Sequence, residues 1–384
     1  MLVSASIVIA QEAPVSSPLD LRADWTQFVG SSVAGTGKAE PRYGGRLDGY
    51  ARIDGAAAGL WDGLTINLQA EYVYGDSTNR IGAQTLLPVN AALSIPVSND
   101  EAFDLSVNIV QKLGKLRLQA GKINLFDASV NLPVVSGGGK EGFQHMALAA
   151  PPGLLASPKV LGAIASAPVG PFTFNLGIWT PESWVRRYVP RKAFENGVNA
   201  MFVATLPARI GGRQGYHSAT IYLTSRRVNG REDYPDIQPP PGSGLLLPRD
   251  PGGLHLRYAV QQFLWQDPLD PKRGWGLFGH IGFSTGAPGI LDWSGTFGIA
   301  GSPPIRTRPK DRFGIGYFRF SLAHRLVEGM APILPLQDEQ GAEIYYTAEI
   351  VRNFRLTANA QLIDPIIASA PTAAYMGLRL KTSF

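Results

Sequence analysis

At 384 residues, with 45% hydrophobic and 17% charged residues and a mean hydropathy near zero, the chain can bury a large core or coat a large apolar surface. No run approaches the roughly 20 apolar residues of a spanning helix, and 44 Gly with 30 Pro interrupt long helices throughout. Zero Cys removes disulfides and thiolate metal sites. The net charge of +5 is scattered among carboxylates and clusters only at Arg186, Arg187, Arg191 and Lys192, which argues against a nucleic-acid partner.

The amino terminus, MLVSASIVIAQEAP, has the apolar run and small residues of the end of a secretory signal. Val8 and Ala10 take the −3 and −1 positions before Gln11, but the basic leading region is missing. Residues 1–23 are therefore read as a residual signal-like or disordered terminus, and 24–384 as a single domain.

Strand side chains alternate between faces with period two, and that period recurs along the whole chain. A weak first strand covers 24–30. In 42–54, Tyr43, Leu47, Ala51 and Ile53 oppose Arg42, Arg46, Asp48, Arg52 and Asp54. In 64–75, Leu64, Ile66, Leu68, Ala70, Tyr72 and Tyr74 oppose Thr65, Asn67, Gln69 and Glu71. Strands 103–113 and 116–124 follow, joined by Gly114 and Lys115 as a two-residue hairpin turn. Further alternating runs lie at 162–168, 172–179, 197–206, 216–225, 254–265, 274–284, 293–301, 311–320, 342–350 and 354–363. The last, YMGLRLKTSF at 375–384, sets Met376, Leu378, Leu380 and Phe384 against Gly377, Arg379, Lys381 and Ser383.

About sixteen strands joined by links that alternate between long and short predict an all-β fold, a transmembrane antiparallel β-barrel with inward-folded extracellular loops. In hydrocarbon no edge strand can stay unpaired, so the barrel must close. Sixteen strands then enclose a lumen wide enough for water. Aromatics near strand ends, Tyr72, Tyr74, Trp265, Trp275 and Trp293, fit interfacial girdles.

Several segments together resemble the carbohydrate-selective porins of the OprB type. They are LWDGLTINLQAEYVYGD (60–76), LLPVNAAL (86–93), LQAGKINLFD (118–127), GPFTFNLGIW (170–179) and FLWQDPLDPKRGWGLFGHIGFSTG (263–286). DRFGIGYF (311–318), DEQGAEIYY (338–346), LIDP (362–365) and GLRLKTSF (377–384) complete the set. The resemblance runs from about residue 42 to the end. It implies a passive channel for glucose and related sugars or polyols in a Gram-negative outer membrane, surrounded by lipid. The departures are a long Pro-rich loop at 226–253 and His280 where a basic residue is expected.

Enzymatic chemistry has little support. The five His are dispersed with no HExxH, and neither a GxSxG elbow nor a GxxxxGK[ST] loop occurs. The GGGK of 137–140 reads as a flexible turn, and His217 beside Ser218 would point to the opposite face of one strand. No cofactor or metal is expected. A general diffusion porin is the alternative, with an outer-membrane enzyme behind it. Smooth lipid-facing strands carry no mark that separates a homo-oligomer seam from lipid contact.

A sugar channel needs acceptors, donors and an aromatic face on its wall. Inward positions supply Arg46, Asp48, Asn67 and Glu71, then Arg117 and Gln119, and from the closing side Glu343, Tyr345, Arg355, Asn359, Arg379 and Lys381. The link 125–161 is too apolar to stay in water, with Leu132, Val134, Val135, Phe143, Met146, Leu148, Leu154 and Leu155. It is expected to fold into the lumen, assisted by Leu86, Leu87 and Val89. Lys122, Asn124 and Asp127 near its start, with Glu71 and Arg379 on the walls, are the candidate constriction residues.

Overall fold

The computed structural model describes residues 17–35, 39–75, 79, 85–94, 102–126, 132, 134–135, 139–150, 159–185, 187–189, 193–227, 251–286 and 289–384. Its strands are β1 (Leu19–Ala34), β2 (Arg42–Asp54), β3 (Leu64–Gly75), β4 (Ala102–Leu113), β5 (Leu116–Asn124), β6 (Lys159–Val169), β7 (Phe172–Trp179) and β8 (Asn199–Ile210). They continue with β9 (Arg213–Arg227), β10 (Pro251–Gln266), β11 (Gly274–Gly286), β12 (Leu291–Gly301), β13 (Arg312–Leu322), β14 (Glu339–Val351), β15 (Phe354–Asp364) and β16 (Ala373–Ser383). Each strand pairs antiparallel with its chain neighbours, and β1 pairs with β16 to close the barrel.

The expected alternation is the side-chain pattern of the wall. On β16 Tyr375, Arg379 and Lys381 are buried inside, while Met376 and Leu378 are more than half exposed at 56% and 51%. Leu47, Phe103, Ile178, Leu223, Leu277, Ile315 and Ile344 project outward in the same way. An apolar belt carried by every second residue of a closed sheet is the outer surface a bilayer requires. Trp265 pairs with Trp275 at one end of the wall and Trp293 stands toward the other, as amphipathic interfacial rings do.

β1 begins at Leu19, opposite Ile53, inside the span read as a leader, because its first five residues extend the ladder with β2. Two-residue turns join β4 to β5, β6 to β7, β8 to β9 and β14 to β15. Gly114 in the first of these adopts φ 60°, which an L side chain disfavours. Loop lengths are less strictly sorted than the sequence pattern implies. At the short-turn end, residues 302–311 link β12 to β13, whereas 287–290 suffice between β11 and β12 at the other end. The longer link wraps Arg273, whose guanidinium donates to the carbonyls of Pro303 (2.7 Å), Ile305 (2.9 Å) and Pro309 (3.1 Å).

The core lies inside the barrel and is built by loops. Leu87, Val89, Val134, Val135, Phe143 and Leu148 pack with Phe263, Phe278, Phe318, Phe320 and Tyr345 of the inner wall. Each such fully buried side chain stabilises the inward fold by roughly 1.5–3 kcal/mol. The short helix α1 (Met146–Ala149) fits against β13 because glycines there leave room: a Cβ on Gly316 would stand 2.9 Å from Leu148, and one on Gly314 2.7 Å from Phe143. A second helix, α2 (His324–Met330), lies within the link from β13 to β14 and buries Leu326 and Met330 in the same core.

Candidate functional site

The described part of the link between β5 and β6 crosses the lumen, and its attachments are polar on one flank. The Glu343 carboxylate accepts the backbone N–H groups of Gln144 (2.7 Å) and His145 (2.8 Å), with Asn359 donating to it at 3.3 Å. Arg379 donates to the carbonyls of Gly139 (2.8 Å) and Gly142 (3.0 Å) and to Thr357 (3.0 Å). Glu141 is paired by Arg355 (2.5 Å) and Lys381 (2.7 Å), and Lys381 also reaches Asp24 at 3.1 Å. Burial raises the Glu141 carboxyl, but the Lys381 and Arg355 charges outweigh it and bring the group down to about 2.

The shorter loop ahead of β4 is tied to the first. The Ala91 N–H donates to the carbonyl of Gln144 (2.8 Å) and the Met146 N–H to that of Pro88 (3.0 Å). Gln361 holds the Val89 carbonyl at 2.9 Å, Arg46 holds that of Ala92 at 2.8 Å, and Glu339 accepts the Leu86 N–H at 2.5 Å. His145 closes the assembly. Its ring stacks on Phe318 at 4.3 Å, its Nδ1 accepts the Ala147 N–H at 3.2 Å, and burial lowers it to about 3, so it is neutral.

Beneath these loops the inner faces of β2 to β6 carry a chain of alternating charges. Lys122 reaches Asp104 (2.6 Å), Asp104 also takes Lys159 (2.6 Å), Lys159 pairs with Glu71, and Glu71 pairs with Arg46. Arg46 grips Asp48 with two hydrogen bonds of 2.9 and 2.5 Å, and Lys140 from the loop lies 3.8 Å from Asp48. All seven side chains are buried. Burying a charge is costly unless a partner of opposite sign is in contact, and strict alternation gives every member one.

The residues singled out from the sequence therefore fall into three groups. Arg46, Asp48, Glu71 and Lys122 belong to the charge chain, and Glu343, Tyr345, Arg355 and Arg379 hold or pack the loop. Tyr345 does so by edge contact with Phe143 at 4.8 Å. Asn67, Arg117 and Asn124 instead border a polar cavity of ≈590 Å³ at the short-turn end, with Tyr50, Lys140 and Lys381 among its other walls. Asp127 lies outside the described residues, as do Leu154 and Leu155.

Sequence reasoning missed four members. Asp104 sits at an inward position of β4, where the alternation between Phe103 and Leu105 would have marked it. Lys159 precedes the strand as read from sequence by three residues, and Lys140 and Glu141 lie in a loop, where no period exists to assign a side-chain direction.

A closed sixteen-stranded antiparallel barrel, apolar outside and polar inside, with loops drawn across its lumen, has the architecture of an outer-membrane porin. Comparison narrows the class. Residues 208–384 match the family model described as carbohydrate-selective porin, OprB family. No protein with a curated description matches the chain. Among solved structures, the high-pH form of Pseudomonas putida OprB superposes with a TM-score of 0.79 at 16% identity, covering 96% of this chain and 94% of that one. A loop L8 deletion mutant of Vibrio cholerae OmpT gives 0.55 at 12% identity, covering 95% and 99%. Pseudomonas aeruginosa OccK2 in complex with glucuronate gives 0.52 at 8% identity, covering 95% and 98%. The chain is thus similar to the OprB porins over its carboxy-terminal part by sequence, where the segments from 263 onward lie, and over nearly its whole length by fold.

Proposed function

We propose that the protein is an outer-membrane channel for passive, carbohydrate-selective diffusion of small sugars or polyols. It is a channel rather than an enzyme. The observation that carries the reading is the pair of loops bound across the lumen above a cavity whose walls include donors, acceptors and a phenol ring: Arg52, Asn67, Arg117, Gln119, Lys140 and Tyr50. Sugar hydroxyls both donate and accept, and a phenol ring offers a face to the apolar side of a pyranose. Asn67, Arg117 and Asn124 are the contacts we assign to the solute. Arg46, Asp48, Glu71, Lys122, Glu343, Tyr345, Arg355 and Arg379 shape the passage by holding its walls and loop, and Asp127 is assigned to the loop's start.

Conductance of the purified protein in planar bilayers tests this. Glucose should reduce the single-channel current and the effect should saturate. An ohmic pore indifferent to glucose would make it a general diffusion porin, and the absence of channels would remove the channel reading. Deleting residues 134–145 should raise conductance several-fold and weaken sugar block. Unchanged conductance in a folded deletion variant would show that the loop does not narrow the path. Native mass in detergent decides between monomer and homo-oligomer.

A further inference from the structure

The strands β6 to β11 contain no Asp or Glu, and the one carboxylate of β12, Asp292, is exposed at its end. On the inner face of this sector stands Arg257, only 7% exposed, flanked in the sheet by Thr220 and Gly282. Its neighbours Leu256 and Tyr258 face out, so the guanidinium faces in. No described carboxylate pairs with it, and its Nε is buried without a hydrogen-bond partner. The other buried inward cations hold a carboxylate or, as Arg379 does, two carbonyls and a hydroxyl; among the described residues Arg257 has neither.

The surroundings are hydroxyls and imidazoles. His255 leans over Gly282, where a Cβ would stand 2.8 Å from its ring, and its Nδ1 meets Ser284 Oγ at 2.9 Å. Its Nε2 is buried without a partner. His280, one strand over, meets Thr296 Oγ1 at 2.7 Å through Nδ1, and its Nε2 lies 3.5 Å from Ser294 Oγ. Gln261, four residues along β10 from Arg257, accepts the Val134 N–H of the constricting loop at 2.8 Å. At ~3.3 Å per residue this places the guanidinium about 13 Å from that tie, on its long-loop side.

We infer that Arg257, with His255, His280 and Ser294, forms a subsite for a sugar bearing one carboxylate, a uronate or aldonate, before it meets the constriction. This rests on the channel reading and deepens it. One unpaired guanidinium balances one carboxylate and presents its planar fork to both oxygens. The imidazole and hydroxyl groups beside it take the sugar hydroxyls as donors or acceptors. A neutral hexose would leave the guanidinium unanswered, and a phosphate dianion would leave a charge over.

Current block by glucuronate, glucose and acetate, measured on the unaltered channel and on Arg257→Gln and Arg257→Lys, tests the subsite. Half-block by glucuronate should need about tenfold less solute than by glucose or acetate, as a charge-assisted bidentate contact added to hydroxyl contacts requires. Arg257→Gln should bring glucuronate to the level of glucose while glucose block changes less than twofold, and Arg257→Lys should fall between. Equal block by glucuronate and glucose in the unaltered channel would overturn the subsite whatever the variants do. Equal block by acetate and glucuronate would reduce it to plain anion attraction, which also overturns it. A protein that conducts and is blocked by glucose yet shows no glucuronate preference refutes this inference alone; one that forms no channels refutes the function on which it rests.

Discussion

The two sides of the inner wall treat charge in opposite ways. From β2 to β6, with the closing strands β14 to β16, carboxylates and cations alternate in contact, and several of them are consumed in tying down the loop. From β9 to β12 the wall has cationic and neutral groups but no inward carboxylate, and Arg257 stands without a described ion-pair partner. The difference teaches that a buried charge in this barrel is not by itself a sign of solute contact. Paired charges under the loop hold one another and the loop in place, and the unmatched one is where the proposed subsite lies.

Removing one charge from each side should separate them by the largest margin. Lys159→Met leaves Glu71 and Asp104 facing each other without their shared cation, a loss of about 3–5 kcal/mol for a broken buried pair. Arg257→Met strips no described partner and should cost less than about 1 kcal/mol. Urea unfolding followed by heat-modifiable gel migration would measure both, and equal losses would erase the distinction.

The outer wall should ignore it. Ile281→Arg on β11 and Ile344→Arg on β14 both place a cation in the apolar belt, each seven residues from the short-turn end of its strand, at ~2–4 kcal/mol near the bilayer midplane. Matching losses in lipid-refolding titrations are expected. A cost on one side only would mean that the other faces a protein partner or water.

Acid should loosen the loop on its paired side in two stages. His145 is lowered by burial from 6.5 to about 3, so protonation favours release of the ring, and stability present above pH 6.5 is lost as pH falls toward 3. Glu141 is lowered from 4.5 to about 2, so its stabilisation is present above pH 4.5 and lost as pH falls through 2. Conductance should therefore begin to rise below about pH 6. His145→Asn should delay the onset to below about pH 4.5, and an unmoved onset would clear His145 of the effect.

The smallest change is expected at the rim. Arg319 and Asp338 meet at 3.0 Å with both side chains partly in solvent, a pair worth ~0.2–1 kcal/mol. Arg319→Gln should shift unfolding by no more than that, which calibrates the buried pairs against an exposed one.

Much of the barrel was legible because its wall is local. The spans 42–54, 64–75, 116–124 and 172–179 read from alternation are those of β2, β3, β5 and β7. Strand ends were less legible: β1, β6 and β10 extend beyond their sequence-read limits because their ladders continue past the alternating runs. Apolar content also foretold that the link after β5 would bury itself, and Phe143 and Leu148 do so.

What the sequence by itself determined is the alternation of faces, the number of strands and hence a closed wall, because each follows from a period of two and from the bilayer's refusal of unpaired backbone. Only the tertiary structure decided which inward charges meet. Lys159 and Glu71 are 88 positions apart by numbering, and Glu141 joins Lys381 across the lumen. Their contact depends on closure of the sheet and on where a periodless loop comes to rest, and neither leaves a local mark in the chain.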